Sequence, residues 1–192
     1  MVSVGAKVIV LGRNGERGRS AVRELEGQAV FYPFDITDTG KTQEMADRIL
    51  AEQGPVTILV NNAGNHCKKC IEDMTTEEYR DVLDVHLVGA FALFPHFKAQ
   101  KKGSIIFQAS MSSYIGLPQV AGYASAKSGY LGLMHTLAAE GGPYGVRVNA
   151  IAPGWIDTPM FHQATDNDKA RRNKILGRIP MQKIGNAMDV GM

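Results

Sequence analysis

The sequence has little of several features that mark specialised protein classes. It holds two cysteines, Cys67 and Cys70, and one tryptophan in 192 residues. Two cysteines cannot supply the dense disulfide framework on which small secreted domains depend. The formal net charge is only +2, from 21 basic and 19 acidic residues. Because nucleic-acid binding needs a clustered basic face, we predict no nucleic-acid partner.

Long apolar runs are also scarce. No uninterrupted apolar stretch approaches the roughly 18–20 residues that a membrane-spanning helix needs. Residues 1–11 are apolar, but they carry neither a basic leader nor a small-residue cleavage site, so they do not resemble a signal peptide. We therefore predict no membrane partner and a cytoplasmic location.

The two cysteines form one C-x-x-C pattern, which has three interpretations. A redox motif would lie near a βαβ unit at the start of a helix. A zinc site would need two further ligands, and the adjacent His66 supplies at most one of them. Two reduced thiols in a loop are the most ordinary interpretation, and no metal site is predicted.

Short apolar runs alternate with segments of helical periodicity along the whole chain. This alternation predicts an α/β fold, with a parallel sheet covered by helices on both faces, in a single domain over residues 1–192. The predicted strands are Lys7–Leu11, Ala29–Tyr32, Thr57–Val60, Ser104–Phe107 and Val146–Ile151. The predicted helices are Glu16–Leu25, Lys41–Glu52, one opened by a capping box at Thr75–Glu78, Gly122–Ala139 and Asn167–Leu176.

Polar and glycine-containing segments come directly after several predicted strands. Ligands of open parallel sheets bind beyond the carboxyl ends of the strands, so these segments should converge on one rim. They are Arg13, Asp35, Asn61–Gly64, Ser110 and Pro153–Thr158. Such convergence indicates a ligand site more strongly than any single motif does.

The most informative local motif is Tyr123-Ala124-Ser125-Ala126-Lys127, with Ser110 upstream. Residues four apart on a helix share one face, so Tyr123 and Lys127 can reach a common ligand. An ammonium beside a phenol lowers the phenol pKa from about 10, which suits proton exchange near neutral pH. A serine hydroxyl from another loop can bind the same substrate oxygen. These groups suit hydride transfer at a C–OH or C=O carbon.

Taken together, these motifs resemble those of the classical short-chain dehydrogenase/reductases over nearly the whole chain. The sequence is similar above all to gluconate 5-dehydrogenase-like members, with 3-oxoacyl carrier-protein reductase-like members as the near rival. The matching motifs are Asp35, Asn61-Asn62-Ala63-Gly64, Ser110, Tyr123-x-x-x-Lys127, Arg147–Ile151 and Pro153-Gly154-x-x-x-Thr158. The resemblance implies a Rossmann-like doubly wound sheet and a homo-oligomer, either dimer or tetramer.

The resemblance also implies roles for individual residues. Tyr123 would be the general acid/base, Lys127 would tune it and bind the nicotinamide ribose, and Ser110 would polarise the substrate oxygen. The other residues implied in cofactor binding are Arg13, Asp35, Ile36, Asn61, Ala63, Gly64, Pro153, Gly154, Ile156 and Thr158. Trp155–Arg172 would form a mobile flap over the substrate pocket.

The sequence departs from the family pattern at several points. It begins at what resembles the family's second strand, so the first strand and its glycine-rich phosphate turn are expected to be missing, as is the final strand. Gly12-x-x-Gly15-x-x-Gly18 has a different spacing from G-x-G-x-x-G and is a weak candidate for a phosphate cradle. The helix at Phe91–Lys98 is about one turn shorter than in the family, which affects an expected subunit contact.

Another departure is His86, which occupies the position of the family's catalytic helical Asn. Two hypotheses stay open for it: a pH-sensitive proton relay from Lys127, or a histidine packed between helix and sheet. We include His86 among the predicted catalytic residues on the first hypothesis.

The cofactor preference rests on the end of the first strand present. Gly12 and Arg13 stand where NAD-preferring members carry an acid, and Arg13 could bind a 2′-phosphate. This predicts NADP(H), with NAD(H) as the second possibility.

The sequence thus predicts an oxidoreductase that transfers a hydride between NADP(H) and a secondary alcohol or ketone, such as a sugar acid or polyol. The alternative is a chain that keeps the signature residues without catalysis and serves as a binding or interaction protein. Binding of a dinucleotide would distinguish the two.

Overall fold

The computed structural model describes residues 1–25 and 27–191, without the side chains of residues 160, 163 and 164. Every predicted strand and helix is present, and the short helices Pro159–Thr165 and Met188–Gly191 are additional. The strands are β1 (Val8–Gly12), β2 (Ala29–Pro33), β3 (Ile58–Asn61), β4 (Gly103–Gln108) and β5 (Val146–Ile151). The helices are α1 (Gly15–Glu24), α2 (Thr42–Gln53), α3 (Thr76–Leu83), α4 (Gly89–Ala92), α5 (Phe94–Gln100), α6 (Ala121–Gly141), α7 (Pro159–Thr165), α8 (Lys169–Leu176) and α9 (Met188–Gly191).

All strand pairs are parallel, and helices lie on both sides of the strands, which confirms the predicted α/β class. Hydrogen bonds join β1 to β2 in one sheet and β3, β4 and β5 in another. Within the described residues, β1 pairs only with β2 and β3 pairs only with β4, so the expected continuous sheet is divided into two. Ile58 and Val60 of β3 are consequently 43% and 39% exposed.

The chain separates into two compact units. The first is Met1–Ile151, which contains all five strands, and the second runs from Ala152 to the end of the chain. Within the second unit, Ile156 and Gly185 form a parallel bridge, and the Gly185 N–H donates to the Trp155 carbonyl at 3.0 Å. A single domain over residues 1–192 stays a prediction.

Helix α6 packs closely on its neighbours because small residues line its contacts. Helix α3 continues through a π-helical turn at Asp84–Val88, and both segments contact α6. A Cβ on Gly129 would lie 2.9 Å from Leu87 Cδ1, and one on Gly122 would lie 3.3 Å from Val82 Cβ. Glycine at these positions therefore lets the helix that carries Tyr123 approach α3 and its π-helical turn.

The main core of the first unit contains β4, β5 and the helices that cover them. Phe107 and Ile105 of β4 and Tyr130 of α6 are at most 1% exposed. The remaining buried members are Ala90, Phe94, Phe97, Ala109, Leu137, Val146 and Val148. This core fixes the end of β4 relative to α6; Ser110 follows β4 by two residues, and α6 carries Tyr123 and Lys127.

One helical segment of the described chain meets the length and hydropathy criteria for crossing a membrane, although the sequence pattern predicts none. It is Thr76–Gln100, counted through the π-helical turn, with a mean hydropathy of 1.2 in its most apolar window. Its charged residues lie mainly in its first two turns, which leaves the remainder apolar. Within that window, 39% is buried inside the protein. Core helices pass the same test, so the finding is weak evidence for a membrane span.

Gly18 is predicted to be required for packing α1 on β2. A Cβ at Gly18 would lie 2.1 Å from Phe31 Cε2, so an alanine would displace the Phe31 ring. We expect Gly18→Ala to lower the free energy of unfolding by about 1–3 kcal/mol, the usual effect of overpacking. Urea denaturation would measure the change.

Gly132→Ala on α6 is the matched control, because no atom lies within 4 Å of a Cβ built there. It should leave stability unchanged or raise it by up to about 1 kcal/mol, since alanine is the better helix former. A Gly18→Ala protein as stable as the wild type would contradict the packing argument.

Candidate functional site

Helix α6 brings Tyr123 and Lys127 together one turn apart. Lys127 is 4% exposed, and its Nζ donates a hydrogen bond to the Gln108 carbonyl at 2.5 Å. Gln108 ends β4, so this bond ties the helix to the carboxyl end of the strand. The ammonium lies 5.4 Å from the Tyr123 ring centroid and 4.8 Å from that of Tyr130, within cation–π range.

The environment of Lys127 destabilises its charged form. Burial lowers the pKa of Lys127 from 10.5 to about 8. Among the residues that the structure describes, no carboxylate lies within salt-bridge distance of this ammonium. Because no described carboxylate neutralises the Lys127 ammonium, its positive charge can act electrostatically on the neighbouring Tyr123 phenol.

Three serines follow β4, and their hydroxyls have different partners. Ser110 Oγ is half-buried and accepts a hydrogen bond from the Ser112 N–H at 3.2 Å. Ser113 Oγ donates to the Lys127 carbonyl at 2.7 Å, so this hydroxyl anchors α6. Ser112 Oγ is buried and has no hydrogen-bond partner in the described part of the chain. The partners favour Ser110 over Ser113 as the hydroxyl for substrate, and Ser110 stays a prediction.

His86 lies in the π-helical turn and contacts the tyrosine of the motif. It is 1% exposed, and its ring meets that of Tyr123 edge to face, with centroids 5.8 Å apart. Its Nε2 lies 3.0 Å from the Asn65 carbonyl oxygen and its Nδ1 lies 3.3 Å from Tyr130 Oη. Burial, opposed by the Asn65 hydrogen bond, lowers the pKa of His86. The structure thus joins His86 and Tyr123, two of the predicted catalytic residues.

The segment after β3 is the predicted cofactor turn, with Asn61, Ala63 and Gly64 as the expected contacts. Asn61 is 7% exposed, and its side-chain Nδ2 has no partner among the described residues. The side-chain Oδ1 of Asn65 is likewise buried without one. Ala63 and Gly64 are exposed, so their backbone can be reached from solvent. Buried polar atoms without protein partners fit a turn that hydrogen-bonds a ligand.

Three further residues predicted to bind the cofactor lie after β1 and β2, and only Arg13 among them is predicted to select NADP(H). Arg13 is exposed and forms a loose ion pair with Asp35, at 3.7 Å. Asp35 accepts hydrogen bonds from the Thr37 N–H and hydroxyl, at 3.0 and 2.8 Å, and these bonds lower the pKa of its carboxyl. The Ile36 side chain packs against Gly89, where a Cβ would lie 2.6 Å from Ile36 Cγ1. The structure therefore brings Arg13 and Asp35 together and half-buries Ile36 against α4.

The structure shows what occupies the segment from Gly12 to Gly18. The Asn14 side chain caps α1 by accepting from the Arg17 N–H at 2.9 Å, so the helix start already has an internal acceptor. Gly18 makes room for a ring of β2, as described above. These contacts support the packing interpretation of the glycine pattern over a phosphate cradle.

The other predicted cofactor residues lie in the second unit. Thr158 Oγ1 caps α7 by accepting from the Phe161 N–H at 3.3 Å, and Ile156 belongs to the bridge with Gly185. Pro153 is half-buried and Gly154 is exposed. Their roles stay predictions.

The predicted flap contains α7 and the start of α8, and two of its basic residues, His162 and Arg172, have acidic partners. His162 contacts Asp166 at 2.9 Å and Asp157 at 2.6 Å, and these carboxylates, Asp166 first, raise the pKa of His162. Arg172 also contacts Asp166, at 3.6 Å. The charge that they would offer to an anionic substrate is therefore partly neutralised within this segment.

The two cysteines are free thiols, and both are half-buried. Cys70 Sγ accepts a hydrogen bond from Gln119 Nε2 at 3.6 Å. Over residues 1–25 and 27–191, no group of three or more metal-ligating side chains is close enough to hold a metal ion.

Three residues of the site escaped the sequence analysis: Tyr130, Gln108 and Asn65. Tyr130 lies seven residues after Tyr123, which places it on the same face two helical turns further on. That spacing could have identified it. Gln108 and Asn65 act through backbone carbonyls, so no side-chain pattern signals them.

Comparison with known proteins identifies the family of this chain. Residues 1–169 match the short chain dehydrogenase family. The 3-oxoacyl-[acyl-carrier-protein] reductase FabG of Thermotoga maritima is 33% identical over 193 residues, covering 97% of this chain and 77% of that protein. L-fucose dehydrogenase of Rattus norvegicus is 32% identical, covering 99% of this chain and 73% of that protein. A gluconate 5-dehydrogenase from Burkholderia cenocepacia, solved with NADP and tartrate, has a TM-score of 0.88 at 26% identity, covering 96% and 75% of the two chains.

The chain therefore belongs to the short-chain dehydrogenase family, whose members are NAD(P)-dependent oxidoreductases that act on CH–OH and keto groups. The family and the fold class implied by the sequence motifs are confirmed.

The buried lysine predicts an unusual pH dependence of stability. The pKa of Lys127 is about 8 when folded and 10.5 as the reference value, so the unfolded chain binds more protons between these pH values. Stability should therefore rise with pH across this window. Lys127→Met removes the burial penalty, so its stability relative to wild type should fall by up to about 3 kcal/mol between pH 7.5 and 10.5.

Urea denaturation of both proteins at several pH values would measure this difference. Lys102→Met, at an exposed lysine, is the control and should show no comparable dependence on pH. A difference between Lys127→Met and wild type that stays constant over the window would contradict the assigned burial effect.

Proposed function

We propose that this chain interconverts a secondary alcohol and a ketone with NADP(H), and that Tyr123, Ser110 and Lys127 carry the proton chemistry. The observation that supports it best is the Lys127 ammonium, buried against the face of Tyr123 without a carboxylate partner among the described residues. Such a charge stabilises negative charge as it develops on the phenol oxygen.

The roles follow from the chemistry of each group. Tyr123 gives a proton to the substrate oxygen in reduction and takes it back in oxidation. The Ser110 hydroxyl donates to the same oxygen and holds it in place. The bound nicotinamide would supply or accept the hydride. Lys127 keeps its proton below a pH of about 8, so its effect on Tyr123 should weaken above that value.

Three observations support a dinucleotide site. Asn61, at the end of β3, and Asn65, in the turn that follows, hold buried polar atoms that have no partner among the described residues. Arg13, 66% exposed, keeps most of its guanidinium available after β1, where its charge favours a 2′-phosphate. Two solved relatives were determined with NADP, the gluconate 5-dehydrogenase and ElxO, the latter with a TM-score of 0.88. A xylitol dehydrogenase was solved with NAD+, so NAD(H) remains the second cofactor.

The substrate class is proposed from the relatives as well. Gluconate, fucose and xylitol appear in the names of several, and 3-oxoacyl carrier protein appears in others. We favour a sugar acid or polyol. We further propose a homo-oligomer in the cytoplasm, as the family resemblance implies. These relationships favour the oxidoreductase over a non-catalytic interaction protein.

Arg13→Ala tests the cofactor assignment. If Arg13 binds the 2′-phosphate, its loss should weaken NADPH binding about tenfold or more, since one charge-assisted contact contributes roughly 1.5–3 kcal/mol. NADH binding should change less than about twofold. Calorimetric titration of the purified chain with each nucleotide is the measurement.

Arg17→Ala removes the same charge from an exposed neighbour on α1 and should leave both affinities close to wild type. Equal losses for NADPH and NADH would remove Arg13 from phosphate recognition. Absence of binding by the folded wild type would overturn the proposed function and favour the interaction protein.

Tyr123→Phe tests the catalytic assignment. Loss of the phenol proton should lower kcat by about 10²–10⁴, the usual contribution of a general acid/base. NADPH affinity should change little. Tyr114→Phe, at a residue 69% exposed, is the control. Turnover by Tyr123→Phe within a fewfold of wild type would contradict the mechanism.

A further inference from the structure

His86 is buried with both ring nitrogens in contact with polar atoms. Nε2 lies 3.0 Å from the Asn65 carbonyl oxygen, and Nδ1 lies 3.3 Å from the Tyr130 hydroxyl. The π-helical turn at Asp84–Val88 presents the ring to both partners, and turns of this kind are frequent at functional sites. His86 therefore joins the turn after β3 to helix α6.

The partners determine which nitrogen carries the proton. A backbone carbonyl can only accept, so Nε2 must carry hydrogen and donate to Asn65. In the neutral ring, Nδ1 is then an acceptor, and the Tyr130 hydroxyl donates to it. Both nitrogens are thus engaged, which leaves no ring nitrogen free to hand a proton onward.

The surroundings of His86 keep the ring neutral. The groups that face it from α6 are Lys127, Tyr123 and Tyr130, and the turn after β3 offers only the Asn65 carbonyl. Burial and the Lys127 charge both disfavour a second proton. Burial also raises the pKa of Tyr130, so its hydroxyl stays protonated and remains a donor.

The turn after β3 packs directly against the imidazole ring of His86. A Cβ on Gly64 would lie 2.5 Å from His86 Cε1, so this position has room only for glycine while the ring stays in place. On its other side, the ring meets Tyr123 edge to face. The ring is in contact with Gly64 of the turn and with Tyr123 of α6. Its position therefore determines the distance between the turn and α6.

We propose that His86, oriented by Tyr130, is a positioning residue that sets the Asn61–Asn65 turn and thereby the affinity for NADP(H), and that it carries no proton in the reaction. This inference rests on the proposed function, because the turn is a proposed cofactor contact. It opposes the relay hypothesis and goes beyond a merely packed histidine, since it assigns His86 an effect on binding.

Two substitutions at His86 separate positioning from proton transfer. His86→Ala removes the donor to the Asn65 carbonyl and should weaken NADPH binding about ten- to a hundredfold. kcat at saturating NADPH and the shape of its pH profile should stay close to wild type. In His86→Gln, the side-chain amide can still donate to Asn65, so this variant should recover most of the affinity.

Calorimetry and steady-state kinetics of the full chain would supply these values, with His135→Gln on the exposed face of α6 as the control. If His86→Ala lowers kcat and shifts the pH profile while NADPH affinity holds, the relay is correct and the positioning proposal fails. Wild-type affinity in His86→Ala would also overturn it. A wild type that binds no NADPH overturns the proposed function and this inference together.

Nitrogen-15 NMR of the histidines tests the tautomer without cofactor or substrate. His86 should show a protonated Nε2 and an unprotonated Nδ1 at neutral pH, because its pKa is lowered below the ordinary value of 6.5. A ring that takes a second proton near pH 6.5, or one protonated at Nδ1 alone, would overturn the proposal. If His86→Ala does not fold, this spectrum and His86→Gln still decide the question.

Tyr130→Phe is a milder variant that removes only the hydroxyl donor to Nδ1. Because the Nε2 bond remains, NADPH binding should weaken about two- to tenfold, less than in His86→Ala. A larger loss of NADPH affinity in Tyr130→Phe than in His86→Ala would contradict the proposal that the Nε2 hydrogen bond contributes more than the Nδ1 hydrogen bond.

Discussion

Burial of the Lys127 ammonium constrains the first unit from the end of β4 to the middle of α6. A carboxylate partner would neutralise this charge and keep its pKa high. The structure instead gives it the Gln108 carbonyl and two aromatic faces, which stabilise a cation less, and its pKa falls to about 8. The buried charge therefore lowers the free energy of unfolding at neutral pH, while the ammonium remains close enough to act electrostatically on Tyr123. Family membership and this geometry point to the same use of the charge.

Local patterns predicted the elements of the fold well. Strands, helices and the Thr75 capping box depend on residues close in sequence, and the structure confirms them. The pairing of strands depends on hydrogen bonds between distant segments, so the division into two sheets was not predicted. The sequence pattern predicts a sheet covered on both faces, whereas Ile58 and Val60 are partly exposed along an edge without a described partner. Exposed apolar edges of this kind favour pairing with another strand.

The sequence predicts the residues of the candidate site that act through their side chains. It does not predict the residues that act through their backbone carbonyls. Tyr123, Lys127 and Ser110 follow from spacing and chemistry, and the structure brings Tyr123 and Lys127 together. The roles of the Gln108 and Asn65 carbonyls cannot be predicted from the sequence, because every residue has a backbone carbonyl. The spacing of the family motif favours Ser110 over Ser113, and the structure adds that the Ser113 hydroxyl is already engaged in a hydrogen bond to α6.

Lys127 and His86 are two buried nitrogen bases near Tyr123, and charging both of them would be electrostatically unfavourable. Two cations in one desolvated site repel each other far more strongly than they would in water. The partners of Lys127 are acceptors and aromatic faces, which suit a cation. Those of His86 are a carbonyl and a hydroxyl, which suit a neutral ring that donates once and accepts once. The charge therefore belongs to Lys127, and His86 stays a neutral ring beside it.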